Sequence, residues 1–356
     1  MVKYRQAEEK DYKKINDFHN RLYSSNRTIE QFRWEFHNSP AGRSIYIIGE
    51  DNDEIAGTNC VIPIFLINSK GEKVLTGKSE DTLVDPKYRG QNVFYNLYQV
   101  LFEKCIENGV KVIWGFTSAY KPFKKLGFKI PYEHQQILIA NRIVPSFKYL
   151  SSLNRNNRLI DKAKILGLCF FSKLNYSFKS TNNLVLKRFH ISTEAKIDQV
   201  NDLIQANLKE KENAFAIDQS SEFQQWRIYD NSNSYKIHTF SFENDNNKLV
   251  GLLIFNSQPN MVAYISQSTF HPELSQKESV EMVKYATKEI FREGITLIRN
   301  WVFDHNSYNK QEIDFFKKAK YTPLRRGIGL VWKELEDYQL DPKGFCLSRI
   351  ATQGSI

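Results

Sequence analysis

The spacing of apolar and polar residues predicts alternating strands and helices over the first 140 residues. Tyr12, Ile15, Phe18 and Leu22 share one face of a helix predicted over residues 8–23. A capping-box pattern begins a second helix at Thr28. The pattern then predicts strands over residues 4–6, 44–49, 54–66, 74–84 and 110–116, with a longer helix before the last strand and a short helix after it. The resulting order is β-α-α-β-β-β-α-β-α.

The turn between residues 84 and 94 combines features that suit a phosphate. Asp85 and Pro86 end the strand, because proline cannot donate to a strand ladder. Gly90 opens a helix whose first backbone N–H groups have no helical partner, and Arg89 adds a positive charge beside them. The positive end of the helix dipole favours an anion at the same place. The turn therefore predicts a phosphate or pyrophosphate site.

This turn, the strand after it and the closing string KKLGF (residues 124–128) resemble the GNAT superfamily of acyl-CoA-dependent N-acyltransferases. The family carries R/Q-x-x-G-x-G/A at the turn. This chain has Arg89-x-x-Asn92-x-Phe94, so both later glycines are replaced. Asn92 tolerates unusual backbone angles, whereas Phe94 is bulky. The resemblance implies an α+β (mixed α/β) fold with a largely antiparallel sheet flanked by helices.

The same resemblance implies the co-substrate and the residues that hold it. Acyl-CoA, as acetyl-CoA or a short hydroxyacyl-CoA, would place its pantetheine arm between the strands at 76–84 and 110–116. Its pyrophosphate would lie on the turn. The implied CoA-binding residues are Leu83, Val84, Arg89, Gly90, Gln91, Asn92, Val93, Phe94, Phe116, Ser118, Tyr120 and Phe123.

Amide formation from a thioester needs a base for the acceptor ammonium and a route for the leaving thiolate. GNAT enzymes commonly draw the base from the strand before the turn, where this chain has Glu80 and Asp81. Adjacent strand residues point to opposite faces, so only one can look into the cleft, and Glu80 is favoured. A surface carboxylate is the alternative interpretation of either residue.

The tyrosine that the family often uses as an acid is replaced here by Phe123. Tyr120, about one helical turn earlier, is the substitute candidate, although a thiolate can also leave without an acid. His134 is a further candidate, either to orient the acceptor or to act as base, and its alternative is a structural role.

The chain repeats itself at a nearly constant spacing. Trp34 and Trp226 stand 192 positions apart, Gly57 and Gly251 stand 194 apart, and two Lys-Lys pairs stand 193 apart. This spacing predicts two tandem GNAT-like modules. We divide the chain into a CoA-binding module at 1–140, a helical connector at 141–185, a degenerate module at 186–340 and a C-terminal tail at 341–356.

The second module lacks a recognisable phosphate turn. His271-Pro272-Glu273 stands where an Arg-Gly turn is expected, and Glu273 and Glu278 would repel a phosphate. The sequence therefore predicts a single CoA site, in the first module, and a structural or acceptor-binding role for the second.

The connector mixes basic residues with leucine, isoleucine and phenylalanine. We interpret it as a helical linker that packs on both modules. A basic amphipathic helix on a membrane surface is the alternative.

Composition narrows the class of protein. A hydrophobic content of 41% and a charged content of 25% are typical of a globular protein, and 356 residues suffice for two cores. The four cysteines show no metal-binding spacing and fit a reducing cytoplasm, so no metal is predicted. No signal peptide or membrane-length apolar run is recognised. The net charge of +10 suits an acidic ligand or reflects lysine-rich coding, and no motif indicates nucleic-acid binding.

The acceptor is inferred from layout alone. Long tandem GNAT-like proteins include enzymes that acylate nucleotide-linked amino sugars for surface polysaccharides such as O-antigen or capsule. Size and layout resemble the dTDP-3-amino-3,6-dideoxyhexose N-acyltransferases, which implies that acceptor and direct attack in a ternary complex. The alternatives are acylation of a peptide, polyamine, amino acid or lipid amine, and a non-catalytic CoA-binding or scaffold protein. A homodimer is left open.

Overall fold

The computed structural model describes residues 1–153, 158–177, 183–230, 235–259 and 261–352. The first module follows the predicted order of strands and helices. Its elements are β1 (Lys3–Gln6), α1 (Tyr12–Tyr23), α2 (Ile29–Phe36), β2 (Ile45–Asp51), β3 (Glu54–Asn68), β4 (Lys73–Val84), α3 (Val93–Glu107), β5 (Val112–Thr117), α4 (Tyr120–Lys125) and β6 (Glu133–Ala140). The Thr28 capping box is present. Thr28 Oγ1 accepts from the N–H of Gln31, and Gln31 Oε1 accepts from the N–H of Thr28.

The rest of the chain repeats this order after a helical connector. The connector contributes α5 (Ile143–Ser152), α6 (Leu159–Ser177) and α7 (Asn183–Leu186). The repeat comprises β7 (His190–Ser192), α8 (Val200–Lys209), β8 (Phe215–Ile217), α9 (Ser221–Gln224), β9 (Lys236–Glu243), β10 (Leu249–Ser257), β11 (Val262–Phe270), α10 (Gln276–Arg292), β12 (Leu297–Val302), α11 (Ser307–Lys318) and β13 (Thr322–Glu334). A π-helical turn, Gln225–Tyr229, follows α9. The predicted mixed α/β class is confirmed, and the repeated order of elements is consistent with two modules.

All thirteen strands of the described residues belong to one sheet. Its order is β1-β2-β3-β4-β5-β13-β6-β12-β11-β10-β9-β7, with β8 added beside β3. Most neighbours are antiparallel, and the parallel pairs β4–β5 and β11–β12 occupy equivalent places in the two modules. The strands therefore follow the same order from each outer edge of the sheet to its centre.

The modules exchange their last strands at the centre of this sheet. Strand β13, from the end of the chain, pairs with β5, with Trp332 opposite Trp114. Strand β6, from the first module, pairs with β12, with Ile139 opposite Ile298. The exchange lies outside what the sequence analysis predicted. The division at residues 140 and 186 stays a prediction, and each half of the sheet is completed by a strand from the other half.

Two repeated tryptophans mark the local symmetry between the modules. The indole N–H of Trp34 donates to the Trp226 carbonyl oxygen at 2.6 Å, and that of Trp226 donates to the Trp34 carbonyl oxygen at 2.7 Å. Both side chains are buried. A buried indole N–H needs a partner, and this reciprocal pair satisfies both donors while it joins α2 to the π-helical turn.

The segment after β13 is part of the core. Phe345 is fully buried and packs against Trp114, Phe215 and Trp332, which come from both modules. Leu347, Ile350 and Ala351 are also buried. The residues of the predicted tail that the structure describes therefore help to hold the modules together.

We expect His305 to make the protein sensitive to acid. Its ring stacks on Tyr132 at 3.6 Å, and its Nε2 lies 2.8 Å from the Phe345 carbonyl oxygen. Burial lowers the pKa of His305 to about 4. The unfolded chain therefore takes up the proton first, and stability is lost as pH falls from about 6.5 towards 4, by on the order of 3 kcal/mol. Urea unfolding at pH 7 and pH 4.5 should show a smaller loss for His305→Gln than for the parent protein. An equal loss in both would contradict this role.

The connector packs on the face of β6. Leu138, Ala140, Leu150 and Cys169 form a small core with residues of β11 and β12. The N–H of Ala140 donates to Ser172 Oγ at 2.8 Å. Among the described helices, none has the length and apolarity needed to cross a bilayer.

Candidate active site

A cleft opens in the first module where β4 and β5 part. These parallel strands pair only at residues 76–78 and 112–114. Beyond that point β4 bulges, with Asp81 and Thr82 together opposite Asn59 of β3, and Asp81 takes a left-handed φ of 48°. The cleft between the strands is a cavity of about 760 Å³. Its lining is His19, Tyr23, Ser25, Ser79, Glu80, Asp81, Thr82, Val84, Arg89, Phe94, Gly115, Phe116, Thr117, Ala119, Pro122, Phe123 and Val331.

The turn that begins α3 is open to an anion. Gly90 has a φ of +82°, and nothing lies within 4 Å of the place where a side chain would begin. Asn92 also has a left-handed φ, 59°, and no described side chain caps the helix. The first N–H groups of α3 therefore remain for solvent or a ligand. Arg89 lines the cavity beside them.

Aromatic side chains, among them Phe94 at the start of α3, form one wall of the cleft. Phe94 packs on Tyr98 at 4.9 Å and on Phe123 at 5.6 Å between ring centroids. The Phe94 ring is thus held against α3 and α4 and lines the cavity from that side. The hydroxyl of Tyr98 lies 2.8 Å from Oγ of Ser79, and this hydrogen bond joins α3 to a residue of the cavity lining.

Glu80 and Asp81 have different surroundings. The Glu80 side chain is 27% exposed, lines the cavity and forms an ion pair with Lys78. Asp81 is 4% exposed and accepts from His19 Nδ1 at 2.7 Å, Arg27 at 3.1 Å and the Tyr46 hydroxyl at 2.5 Å. Three partners satisfy the Asp81 carboxylate, so its role in this geometry is to tie β4 to α1 and β2.

The pKa of Asp81 follows from these contacts. Burial alone would raise its pKa, but the hydrogen bond from His19 and the positive charge of Arg27 outweigh burial and lower it. Asp81 is therefore an ionised carboxylate at neutral pH that is already engaged. Both residues line the cavity, and Glu80, whose ion-pair partner is Lys78, is the more exposed of the two.

Further buried charges lie behind Glu80. Lys78 is 2% exposed, and burial lowers its pKa, although the neighbouring Glu80 opposes that shift. Burial raises the pKa of Glu35 on α2, and the charge of Glu80 adds to the effect. Arg227, from the second module, is 3% exposed, and its Nη atoms find no hydrogen-bond partner among the described residues. Its guanidinium lies over Trp34 and Trp226 at about 5.5 Å.

Tyr120 and His134, the other two catalytic candidates, lie outside the cavity lining. The Tyr120 hydroxyl donates to Glu133 at 2.8 Å, and burial together with Glu133 raises its pKa to about 12. His134 is fully buried, accepts the N–H of Ile328 at its Nδ1 and stacks on Trp301 at 4.1 Å. Burial lowers the pKa of His134. The structure does not bring either residue together with Glu80.

The predicted CoA-binding residues divide in the same way. Val84, Arg89, Phe94, Phe116 and Phe123 line the cavity. Gly90, Gln91 and Asn92 are exposed on the turn, Leu83 and Val93 are buried beneath it, and Ser118 is exposed beyond β5.

Sequence reasoning missed two contributors to the cleft. His19, Tyr23 and Ser25 come from α1 and its end, and Val331 comes from β13. The polar His19 among the apolar positions of α1 is a signal that could have indicated the first set. Nothing near Val331 in the sequence shows that this strand crosses to the first module.

The equivalent place in the second module is closed. Residues of α8, β11, α10 and α11 leave a cavity of only about 20 Å³. Ser275 caps α10 in a capping box with Glu278, and the Glu278 carboxylate accepts from the N–H of Ser275 at 2.8 Å. Arg188 pairs with the same carboxylate at 2.8 Å. A side-chain carboxylate thus occupies the helix end that α3 leaves open.

No group of three His, Cys, Asp or Glu side chains within the described ranges is arranged to hold a metal ion. The four cysteines are buried and unpaired by disulfides. The main features of the cleft are the Glu80 carboxylate, the uncapped start of α3 and the aromatic wall.

The chain resembles known proteins in sequence over its first module and in structure over most of its length. Residues 3–130 match a family described as an acetyltransferase (GNAT) domain. No curated protein sequence matches the chain. A probable N-acyltransferase from Enterococcus faecalis shares the fold, with a TM-score of 0.63 and 8% identity over 94% of this chain and 73% of that one.

Two further solved structures share the fold. A GCN5-related N-acetyltransferase from Anabaena variabilis has a TM-score of 0.63 and 11% identity over 94% of this chain and 73% of its own. The Saccharomyces cerevisiae N-myristoyltransferase with bound myristoyl-CoA has a TM-score of 0.61 and 12% identity over 93% and 82%. Residues 3–130 are therefore similar to a GNAT acetyltransferase domain, and the chain as a whole shares the fold of these solved structures.

Proposed function

We propose that acyl-CoA binds in the β4–β5 cleft of the first module and that acyl transfer takes place only there. The observation that carries this proposal is the contrast between the two helix ends. The end of α3 has no described side-chain cap, open space at Gly90 and Arg89 beside it, whereas Glu278 fills the end of α10. A CoA pyrophosphate suits the first and is repelled by the second.

Glu80 is the proposed general base. It takes a proton from the acceptor ammonium, and the freed amine nitrogen attacks the thioester carbonyl carbon. A C–N bond forms, the C–S bond breaks, and CoA leaves as thiolate, which takes up a proton. Lys78, two residues earlier on β4, forms an ion pair with the Glu80 carboxylate. Transfer in one step requires both substrates in the cleft together.

For the acceptor we propose the primary amine of a nucleotide-linked amino sugar of the dTDP-3-amino-3,6-dideoxyhexose type, used in surface polysaccharide. Arg89 in the cavity lining offers a positive charge to an acidic substrate. Tyr23 and Phe116 offer aromatic faces in the cavity lining on which a base or sugar can stack. Acetyl-CoA should be incubated with this sugar nucleotide, a polyamine and a peptide, with release of free thiol as the readout. Turnover confined to the non-sugar amines would refute the sugar acceptor alone.

Binding of the donor is tested separately, by thermal unfolding with CoA. A ligand that binds only the native state at 100 times its Kd stabilises it by about 2.7 kcal/mol. We expect the Tm to rise with CoA concentration. A Tm that is unchanged at millimolar CoA would refute the cleft assignment, whichever amine is the acceptor.

Arg89→Ala should weaken CoA binding about tenfold, because a phosphate loses a charge-assisted partner at the helix end. Isothermal titration with CoA measures this. The matched control is Lys87→Ala, since Lys87 belongs to the same turn but lies outside the cavity lining and is 71% exposed. Equal losses in the two variants would show that only the general positive charge of the turn matters.

A further inference from the structure

Helix α6 of the connector turns an apolar face to solvent. Leu159 is 83% exposed, Ile160 68% and Phe171 63%, and Leu166, Phe170 and Leu174 are also exposed. The helix packs on the protein through its opposite face, where Cys169 and Ser172 are fully buried. A surface helix normally presents polar residues outward, so this orientation needs a partner.

The exposed apolar residues form a continuous strip with charged borders. At 3.6 residues per turn, the six residues fall in a sector of about 140° that runs the length of the helix, about 28 Å. Ala163 and Gly167 lie in the same sector. Lys164 stands at one border of the strip, and Lys162 and Lys173 stand at the other. Long basic side chains in that position can reach past an apolar strip to a layer of negative charge.

We propose that α6 docks on an anionic membrane surface and lies in its plane. Residues 141–185 contain eight Lys and Arg against a single Asp, a net charge of +7 within a chain of net charge +10. Lipid phosphates would neutralise Lys162 and Lys164 while the leucines and phenylalanines enter the acyl boundary. A second copy of this chain would instead bring two faces of the same strong positive charge together. Charge complementarity therefore favours the bilayer.

This inference rests on the exposed helix and not on the acyl-transfer reaction. Flotation of the full chain with vesicles of phosphatidylcholine and phosphatidylglycerol, and with phosphatidylcholine alone, tests it. We expect binding to the anionic vesicles only, weakening as salt shortens the range of the charges. Phe170→Ser with Phe171→Ser should reduce the partition coefficient about tenfold or more. Lys162→Glu with Lys164→Glu should abolish the preference for anionic lipid.

Matched variants distinguish the effect of the α6 strip from nonspecific hydrophobic binding and from the overall charge of the protein. Ile106→Ser with Met261→Ser removes two exposed apolar residues elsewhere, and Lys13→Glu with Lys317→Glu makes the same charge change on other helices. Both controls should bind vesicles like the parent protein. Absence of binding to anionic vesicles at low salt would overturn the proposal. So would sedimentation velocity that shows a dimer dissociated by the Phe170 and Phe171 changes, since the strip would then be a subunit interface.

Discussion

Glu80→Gln should lower kcat by about 10²- to 10⁴-fold, the range that a positioned general base contributes. Glutamine keeps the shape of the side chain but cannot accept the ammonium proton. Because the change leaves Arg89 and the open end of α3 intact, CoA binding by titration should stay close to that of the parent protein. Initial rates of thiol release at saturating acetyl-CoA, over a range of pH, would measure the effect.

Glu133→Gln is the control for this change. Glu133 is a carboxylate of the same size that bonds to Tyr120 outside the cavity lining. We expect its kcat to remain near the parent value, and Tyr120→Phe to behave alike. If Glu80→Gln retains full activity, the base lies elsewhere. If Tyr120→Phe instead loses activity while it folds normally, Tyr120 takes part in catalysis. The Tyr120 side chain would then have to enter the cleft when substrate binds.

Asp81→Ala should lower the free energy of unfolding by about 3–5 kcal/mol, the range seen when one partner of a buried ion pair is removed. Arg27 is only 8% exposed and would lose its ionic partner, and His19 and Tyr46 would each lose a hydrogen bond. Urea unfolding followed by circular dichroism measures the loss. Because the pKa of Asp81 is lowered in the folded state, its contribution is present at neutral pH and is lost as pH falls through that pKa.

Asp85→Ala is the matched control for Asp81→Ala. Asp85 is also a buried aspartate near the end of β4, but its Arg21 partner is 56% exposed. Solvent can replace Asp85 around Arg21, so we expect a loss of about 1 kcal/mol, mainly from the bond to the N–H of Lys87. Similar losses at both positions would show that the buried network around Asp81 has no special importance.

The elements of the first module could be predicted from sequence because their signals are local. Apolar spacing marks α1, the Thr28 capping box marks the start of α2, and Pro86 marks the end of β4. The repeat of tryptophan and glycine spacing likewise indicated the second module. Each of these signals depends on residues close together in the chain.

The division of labour between Glu80 and Asp81 could be predicted only in part. Alternation along a strand shows that neighbours face different ways, but the β-bulge changes the local geometry at Asp81. The partners that engage Asp81 come from α1, the segment after it and β2, between 35 and 62 positions away. The same limit applies to Tyr120, whose partner Glu133 lies beyond the end of α4. Contacts of this kind are set by packing and have no local signature.

The strand exchange was not predictable for a related reason. Strands β6 and β13 occupy equivalent places in the repeat. Their apolar patterns alone would allow either strand to complete either half of the sheet. The choice depends on tertiary contacts such as those of Phe345 with Trp114 and Trp332. A repeat in sequence gives the number of modules and leaves open which strand closes which module.

The exchanged strand also sets when the cleft can be completed during synthesis on the ribosome. Val331 is part of the cleft wall, and β5, which pairs with β4 on one edge, gains its neighbour on the other edge only after β13 has been synthesised. At about 5–20 residues per second, roughly 10–40 s pass between the emergence of β5 and that of β13. During that interval the nascent chain exposes an unpaired apolar strand edge, which is a hazard for aggregation. A chain cut short before β13 would contain all of residues 3–130 and still lack Val331 in the wall of the cleft.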